Sequence, residues 1–330
     1  VGKNLIISII ICTKNRPSDL SITLESIYKQ ICRPDFIVVV DDSDDNKTRK
    51  VIDKYSDIIY FHPSKPNSGL PEARNAGLRY VPNGTEIVLF LDDDVTLDNN
   101  YLLELNKKFK ENSNFDGASG QIKDGYHNLS FPKKLIHIII GYIIPPLVPL
   151  SIKSYHILRT GGGTTPVFID KDPTSVEWIS GCNMAYRYSL FKNKEKKFDE
   201  TLIGYAMGED ALFSHKLYLN GKRFVIARKA LIKHRCSSEN RMPPFKKLVM
   251  IFAYRRYLIQ NFTKNKTLAS LYYYWFAMTF IMSIFILCLI RKQQWKYLND
   301  ALLSHWYIIE EPNILKINKF IQGENNEYTN

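Results

Sequence analysis

The sequence has few cysteines, and none of them pair by spacing. Its five thiols, Cys12, Cys32, Cys182, Cys236 and Cys288, are scattered through 330 residues without a C-x-x-C unit. That excludes a disulfide framework and a thiolate zinc site, and it fits a reducing compartment. The glycines Gly161-Gly162-Gly163 lack the Lys-Ser or Lys-Thr ending of a phosphate-binding P-loop. Residues 5–12 are apolar, but they contain Ser8 and lead into Thr13-Lys14-Asn15-Arg16 rather than a small-residue cleavage site, so they read as a buried strand and not a signal peptide. Acidic charge is the scarcer sign: 33 Asp and Glu stand against 45 Lys and Arg, a net charge of +12. With 45% apolar and 24% charged residues the chain is a folded globular one, which excludes disorder and collagen-like structure. At roughly 100–200 residues per domain the length allows one large or two modest domains, with ample core in either case.

What is present is an alternation of short β-branched runs and helical patterns over the first hundred residues. Residues 5–12 end in Thr13-Lys14-Asn15-Arg16, residues 36–40 in Asp41-Asp42-Ser43, and residues 87–91 in Asp92-Asp93-Asp94. Unbroken apolar runs of this length suit parallel strands covered on both faces. Between them Leu20, Leu24, Ile27, Tyr28 and Ile31 recur at helical spacing, and Pro71-Glu72 opens a helix over residues 71–79. This is βαβ grammar, and it predicts an α/β fold with a mostly parallel, Rossmann-like central sheet. In such sheets ligands gather beyond the carboxyl ends of the strands. One site is therefore expected from Thr13, Asp41, Asp42, Asp92, Asp93 and Asp94, although an Asp after a strand also serves as a turn or cap residue.

The organisation along the chain separates residues 1–242, with halves 1–115 and 116–242, from residues 243–330. An insertion at 125–170 departs from the βαβ grammar. Its uncharged stretch 135–152 is broken by Pro145, Pro146 and Pro149, which argues against a straight spanning helix and leaves a membrane-apposed hairpin, a lid or a buried insertion. Residues 243–330 form a helical, membrane-associated region. Within it, residues 268–290 carry no charged side chain over 23 positions, enough to cross a bilayer, and Lys264, Lys266, Arg291, Lys292 and Lys296 flank both ends. Residues 245–262 mix Lys246, Lys247, Arg255 and Arg256 with apolar side chains, as a helix on an anionic membrane surface does. An apolar core helix beside a solvated basic helix is the alternative.

Three consecutive carboxylates at the end of a buried strand repel one another, a cost that a divalent cation removes. Oxygen ligation suits Mg²⁺ or Mn²⁺ shared with a diphosphate, and such an ion stabilises charge on a departing nucleotide. Arg74, at a helix start, is placed either to approach the same phosphates or to pair with Glu72 or solvent.

The ordered set of motifs resembles the family 2 glycosyltransferases of the GT-A fold, over residues 8–234. The matching pieces are Ser8 to Arg16; Val39-Val40-Asp41-Asp42-Ser43; Asn67-Ser68-Gly69-Leu70 with Arg74-Asn75-Ala76-Gly77; Leu91-Asp92-Asp93-Asp94; Trp178-Ile179-Ser180-Gly181-Cys182-Asn183; and Gly208-Glu209-Asp210. The resemblance implies an inverting, metal-dependent transfer of a sugar from a nucleotide diphosphate, with uracil favoured as the base. It implies Asp42 as the base-reading acid, with Thr13 and Arg16 in the nucleotide pocket. Arg74, Asp92 and Asp93 belong to the donor site, and Asp92, Asp94 and His234 to the Mn²⁺ or Mg²⁺ site. Trp178, Gly181, Asn183 and Glu209 fall on the acceptor side, and Asp210 is the catalytic base. An Asp with an ordinary pKa near 3.9 is ionised at neutral pH and able to take the acceptor hydroxyl's proton.

Partners expected from this reading are a nucleotide sugar, a lipid-linked or surface glycan acceptor, and the cytoplasmic face of a membrane. No nucleic acid is expected, since the basic charge comes without a recognisable DNA or RNA module. A nucleotidyltransferase acting on sugar phosphates is the enzymatic rival, but its Gly-rich, Lys-containing start is absent. A glycoside hydrolase would need neither metal nor nucleotide.

Overall fold

Strand β1 (Ile7–Thr13) lies at the centre of a parallel group because it is apolar to both sides, and the computed structural model covers both of its faces. The structure describes residues 4–64, 66, 69–123, 150–151, 155–166, 176–192, 197–239, 242–291 and 295–323. They fall into two units, the first within Val1–Asn128, Asp170–Glu200 and Phe213–Arg241, the second within Leu129–Ile169, Thr201–Leu212 and Met242–Asn330.

In the first unit β1 is flanked in parallel by β2 (Phe36–Asp41) and β4 (Ile87–Asp92), and β2 by β3 (Ile58–Phe61). With β5 (Val95–Leu97), β6 (Gly117–Ile122), β9 (Asn183–Arg187) and β10 (Phe224–His234), these form an eight-stranded sheet of order β3-β2-β1-β4-β9-β6-β10-β5. The expected parallel order holds over β3-β2-β1-β4. Beyond β4 the sheet becomes mixed, because β9 runs antiparallel to both β4 and β6, and β10 antiparallel to β5.

Helix α1 (Pro17–Tyr28) lays Leu20, Leu24 and Ile27 on the Ile9 and Ile11 face of β1. The period continues in sequence to Ile31, but the helix stops at Tyr28 and Ile31 is 69% exposed. Short α2 (Lys47–Ile52) follows β2, and amphipathic α4 (Tyr101–Glu111) buries Tyr101, Leu102, Leu105 and Phe109. On the opposite face, α3 (Leu70–Leu78) presents Gly77 to the sheet, where an added Cβ would lie 2.6 Å from Ile10 Cγ2. Rings of Phe90, Tyr186, Phe191, Phe198 and Phe213 continue the core, with Phe198 and Phe213 stacked at 4.2 Å between centroids. Edge-to-face and offset-stacked pairs of this kind add to simple area burial.

The second unit contains the two-residue strands β7 (Leu150–Ser151) and β8 (Thr165–Pro166), the segment Thr201–Leu212 that begins helix α5 (Glu209–Leu219), and four further helices. These are α6 (Pro244–Phe262), α7 (Lys266–Arg291), α8 (Trp295–Glu310) and α9 (Ile314–Gln322). Tyr254 of α6 ties three elements together: its hydroxyl receives the Ile203 N–H at 2.9 Å and lies 3.0 Å from Asn318 Oδ1 of α9. Most of the sequence insertion at 125–170, including 135–149, lies outside the described residues, as do Asn67 and Ser68. Of the glycine run, Gly161 has φ +73°, the left-handed region that favours glycine, in a turn closed by its N–H donating to Leu158 O at 2.8 Å.

Candidate active site

The parallel register places the acids. Thr13 sits beside Asp41, and Cys12 beside Asp92, so the carboxyl ends of β1, β2 and β4 stop at the same level. The loops after β1 and β2 are clasped there by Asn15, which adopts φ 56°. Its Nδ2 donates to Asp44 Oδ2 at 2.6 Å and its Oδ1 accepts from Asp44 N–H at 2.9 Å. Asn tolerates this left-handed conformation better than most residues.

The paired acids after β2 have different surroundings. Asp41 is 1% exposed, with Oδ1 accepting from Ser43 N–H and Oδ2 from the Tyr60 hydroxyl, so its carboxylate is used inside the fold. Asp42 extends the strand ladder through its N–H to Thr13 O at 2.9 Å, leaving it next to Thr13 at the strand ends.

The three acids after β4 diverge as well. Asp92 Oδ1 lies 3.3 Å from Arg74 Nη2, and the same guanidinium nitrogen donates to Gly181 O at 3.0 Å. Arg74 is 2% exposed and lies over the Phe198 ring, so a buried cation links the Asp92 carboxylate to the backbone of the Trp178–Asn183 loop. Asp93 turns inward: Oδ2 accepts from the Thr13 hydroxyl at 2.7 Å, and Oδ1 pairs with Arg16 Nη1 at 3.2 Å. Burial lifts its carboxyl to about 7, helped by repulsion from Asp94 and Asp92 and opposed by Arg16 and the Thr13 hydroxyl. Asp94 turns the other way. Its Oδ1 is 3.0 Å from His234 Nε2, and Oδ2 accepts the Ser237 N–H at 2.8 Å. Burial pushes its pKa up, but His234, the Ser237 amide and Arg16 outweigh that and hold it at about 2.

His234 reaches Asp94 through strand pairing. The last residues of β10 run antiparallel to β5, with Ile232 against Leu97 and His234 against Val95, one position after Asp94. A register shift between Ala227 and Leu231 interrupts the pairing of β10 with β6, which resumes at Leu231 and Ile232, where Ile232 also meets Leu97 of β5. As a result one ligand atom from each of Asp92, Asp94 and His234 lies within 4.8 Å of the others. Asp94 is almost enclosed, while the Asp92 and His234 side chains keep 29% and 26% of their surface. Two carboxylate oxygens and an imidazole nitrogen, partly open to solvent, fit a divalent cation that keeps further positions for water or substrate.

Arg235 is a supporting residue that sequence reading passes over, although it directly follows His234. Its guanidinium bonds Asp19 Oδ1, Thr96 Oγ1, the Asp93 carbonyl and the Val95 carbonyl, which fixes the backbone on which Asp94 sits. Thr23 adds a bond from its hydroxyl to Asp93 O at 2.6 Å. A basic residue in a basic stretch carries no local sign of such a role.

On the other side of β4, Asn183 is fully buried. Its Oδ1 accepts from Ser119 Oγ, Gly120 N–H and the Tyr101 hydroxyl, so this residue shapes the 178–183 loop from within the sheet. Trp178 is half-buried, and its neighbours tie the loop to α5: Ile179 N–H donates to Ser214 Oγ at 3.3 Å, and Glu177 lies 3.8 Å from His215 Nδ1. Asn75 clamps the following segment, exchanging bonds with Phe198 and donating to Glu200 Oε1 at 2.8 Å.

In the second unit, Glu209 and Asp210 form the first turn of α5. Glu209 is buried and Asp210 half-buried, with Asp210 Oδ1 accepting from Ala211 N–H at 2.8 Å. The preceding Gly208 has φ +89°, a conformation suited to glycine, and its C=O accepts from Leu212 N–H. Acids in a first helical turn are favoured by the helix dipole.

Comparison with known proteins agrees with this architecture. The sequence model described as Glycosyl transferase family 2 matches residues 8–193, more than half of the chain. Poly(ribitol-phosphate) beta-N-acetylglucosaminyltransferase TarP of Staphylococcus aureus (strain N315) is 35% identical over 112 residues, covering 32% of this chain and 34% of TarP. The chain spans about a third of the length of the curated relatives it matches. The structure of S. aureus TarS 1–349 superposes over 98% of this chain and 93% of that one, with a TM-score of 0.53 at 17% identity. Mannosyltransferase PcManGT from Pyrobaculum calidifontis, solved with GDP-Man and Mn²⁺, covers 98% of this chain and 80% of that one, with a TM-score of 0.54 at 13% identity. The sheet therefore has the GT-A fold, and by the family match this chain is a member of glycosyl transferase family 2.

Proposed function

We propose that the protein transfers a sugar, with inversion, from a nucleotide diphosphate donor to a hydroxyl of a glycan or lipid-linked acceptor, and that it depends on a divalent cation. The observation that carries this reading is the convergence of Asp92, Asp94 and His234 ligand atoms within 4.8 Å at the carboxyl end of the sheet. Those three residues would hold the ion. Bound there, the cation supplies Lewis-acid stabilisation of charge developing on the departing diphosphate. Mn²⁺ suits the mixed oxygen and nitrogen set better than Mg²⁺, which prefers oxygen alone.

This chain's own residues divide the rest. Asp42 reads the nucleoside base, and Thr13 and Arg16 frame its pocket, Arg16 being oriented by Asp93. Arg74 holds Asp92 in place and adds positive charge on the donor side. Trp178, Gly181 and Glu209 serve the acceptor, with Asn183 shaping the 178–183 loop. Asp210 takes the acceptor hydroxyl's proton as the new bond forms on the sugar face opposite the leaving group. TarS 1–349 has also been solved in complex with UDP-GlcNAc, which supports a UDP-linked donor here, while GDP-Man in PcManGT keeps the guanine alternative in the test. TarP is named for a polymeric phosphate-linked acceptor, which supports an acceptor of the glycan or polymer class. The apolar helix Lys266–Leu289 supports a membrane location, and the free thiols, which fit a reducing compartment, support its cytoplasmic face.

A panel of nucleotide sugars with Mn²⁺, scored by release of nucleotide diphosphate, tests the reading. Turnover of at least one donor, abolished by chelation, is expected. Release of pyrophosphate from a nucleoside triphosphate and a sugar phosphate, with no nucleotide diphosphate released from any nucleotide sugar, would instead identify a nucleotidyltransferase.

A further inference from the structure

Helix α7 is apolar all round, buried at Tyr273, Phe276, Ala277, Ile284 and Cys288 and equally apolar where it is exposed. From Leu271 to Leu289 every exposed residue is apolar: Leu271, Tyr274, Trp275, Met278, Met282, Phe285, Ile286 and Leu289 recur at spacings of one, three or four. The face turned toward its neighbours carries the hydroxyls of Thr279 and Ser283, which donate to Trp275 O and Phe280 O of the same helix. Helix α8 also exposes Leu302, Leu303, Trp306 and Ile309 while burying Ser304, although Lys296, Asn299 and Glu310 are exposed on it as well. An apolar stripe of this extent facing outward marks a surface that is not left to water.

We propose that α7 lies in the plane of an anionic lipid bilayer, with its outward stripe at the acyl boundary, and does not cross it. Two observations choose this mode. The first is what packs on the inner face. Arg255 of α6 sits 5.0 Å from the Phe276 ring, near the middle of α7, and Arg256 sits 5.7 Å from the Tyr273 ring. Arg256 also donates to Ile308 O at 2.9 Å, and His305 of α8 lies 3.1 Å from the Tyr273 hydroxyl. A crossing helix would carry these cationic and polar groups into the hydrocarbon centre, where charge is costly. Burial lowers the Arg255 pKa to about 10, so the group remains a cation at neutral pH.

The second observation is charge. Residues 242–330 hold 11 Lys and Arg against 5 Asp and Glu, and the exposed cations Lys264, Lys266 and Lys296 stand just beyond or at the two ends of α7. Cations at both ends of an apolar stripe match a helix lying along anionic headgroups, each end at the same depth. Trp275 and Trp306 supply amphipathic rings of the kind enriched at that boundary.

This inference rests on the membrane location proposed above, and two measurements separate the two. Flotation of the full chain with phosphatidylcholine vesicles, with and without phosphatidylglycerol, reports membrane binding. Binding is expected to rise with phosphatidylglycerol and to fall on the order of tenfold or more in Met278→Glu/Phe285→Glu, whose exposed positions leave the helical circular dichroism unchanged. Labelling of sealed, uniformly oriented membrane vesicles from expressing cells with an impermeant amine reagent then reports the mode. In-plane binding labels Lys264, Lys266 and Lys296 from one side. Labelling at one end only would show a crossing helix and overturn the proposal while the membrane location stands. No flotation, with a lipid-free dimer dissociated by the same double variant, would show that a second copy covers the stripe, and both readings would fall.

Discussion

His234 Nε2 lies 3.0 Å from Asp94 Oδ1 although 140 positions separate them, because β10 ends antiparallel to β5 and delivers the imidazole one residue beyond the acidic triplet. With Asp92 at the end of β4, this contact makes the donor set on which the proposed chemistry depends.

If the three residues hold an ion, Mn²⁺ should raise the thermal midpoint of the wild-type chain. Asp94→Asn and His234→Ala should each lower the affinity for Mn²⁺ by more than the roughly 10–100-fold typical of losing an outer partner of a ligand. Differential scanning fluorimetry across a Mn²⁺ titration measures this, and identical shifts in parent and variants would remove these residues from the metal site.

Replacing the base should separate chemistry from binding. Asp210→Asn is expected to lower kcat by about 10²- to 10⁴-fold with donor affinity unchanged, measured by nucleotide diphosphate release and calorimetric titration. Near-normal turnover would reassign the proton to another group.

Asp93 gives a pH signature in chelated, metal-free protein. Its carboxyl is lifted to about 7 in the fold, above the ordinary value near 3.9, so the folded state holds a proton that the unfolded chain has released. The associated stability is fully present below about pH 4 and is lost as pH rises through about 7. Asp93→Asn should therefore show a flatter decline between those limits in urea unfolding. Arg16→Met, which removes the opposing cation 3.2 Å away, should lift the Asp93 carboxyl further and carry the decline in stability to higher pH.

The seat of α3 is testable through packing alone. Gly77→Ala would place a Cβ 2.6 Å from Ile10 Cγ2 and 3.2 Å from Val40 Cγ2, an overpacking expected to cost about 1–3 kcal/mol. Combining it with Ile10→Ala should cost less than the sum of the two single changes, as neighbouring sites do. Strict additivity would show that α3 shifts freely over the sheet.

The runs before Thr13, Asp41 and Asp92 were legible as strands because a parallel strand covered on both faces must be apolar at every position, and β1, β2 and β4 are. Polar residues at their ends then had to meet, since parallel neighbours in register finish together. The long apolar helix was equally plain, as Lys266–Arg291. Less was legible where periodicity outran the element, as at Ile31, or where pattern gives way to pairing, as in the antiparallel insertion of β9.

By itself, then, the sequence determined the βαβ half, the level at which the acids stand and the apolar character of α7, because each follows from local period and composition. The tertiary structure alone decided which acid does what. Adjacent side chains at a strand end point in different directions, so Asp41 and Asp93 were drawn into hydrogen bonds inside the fold while Asp92 and Asp94 came to stand with His234. The same holds for α7, where only packing against Arg255 and Arg256 shows which side of an apolar helix is covered.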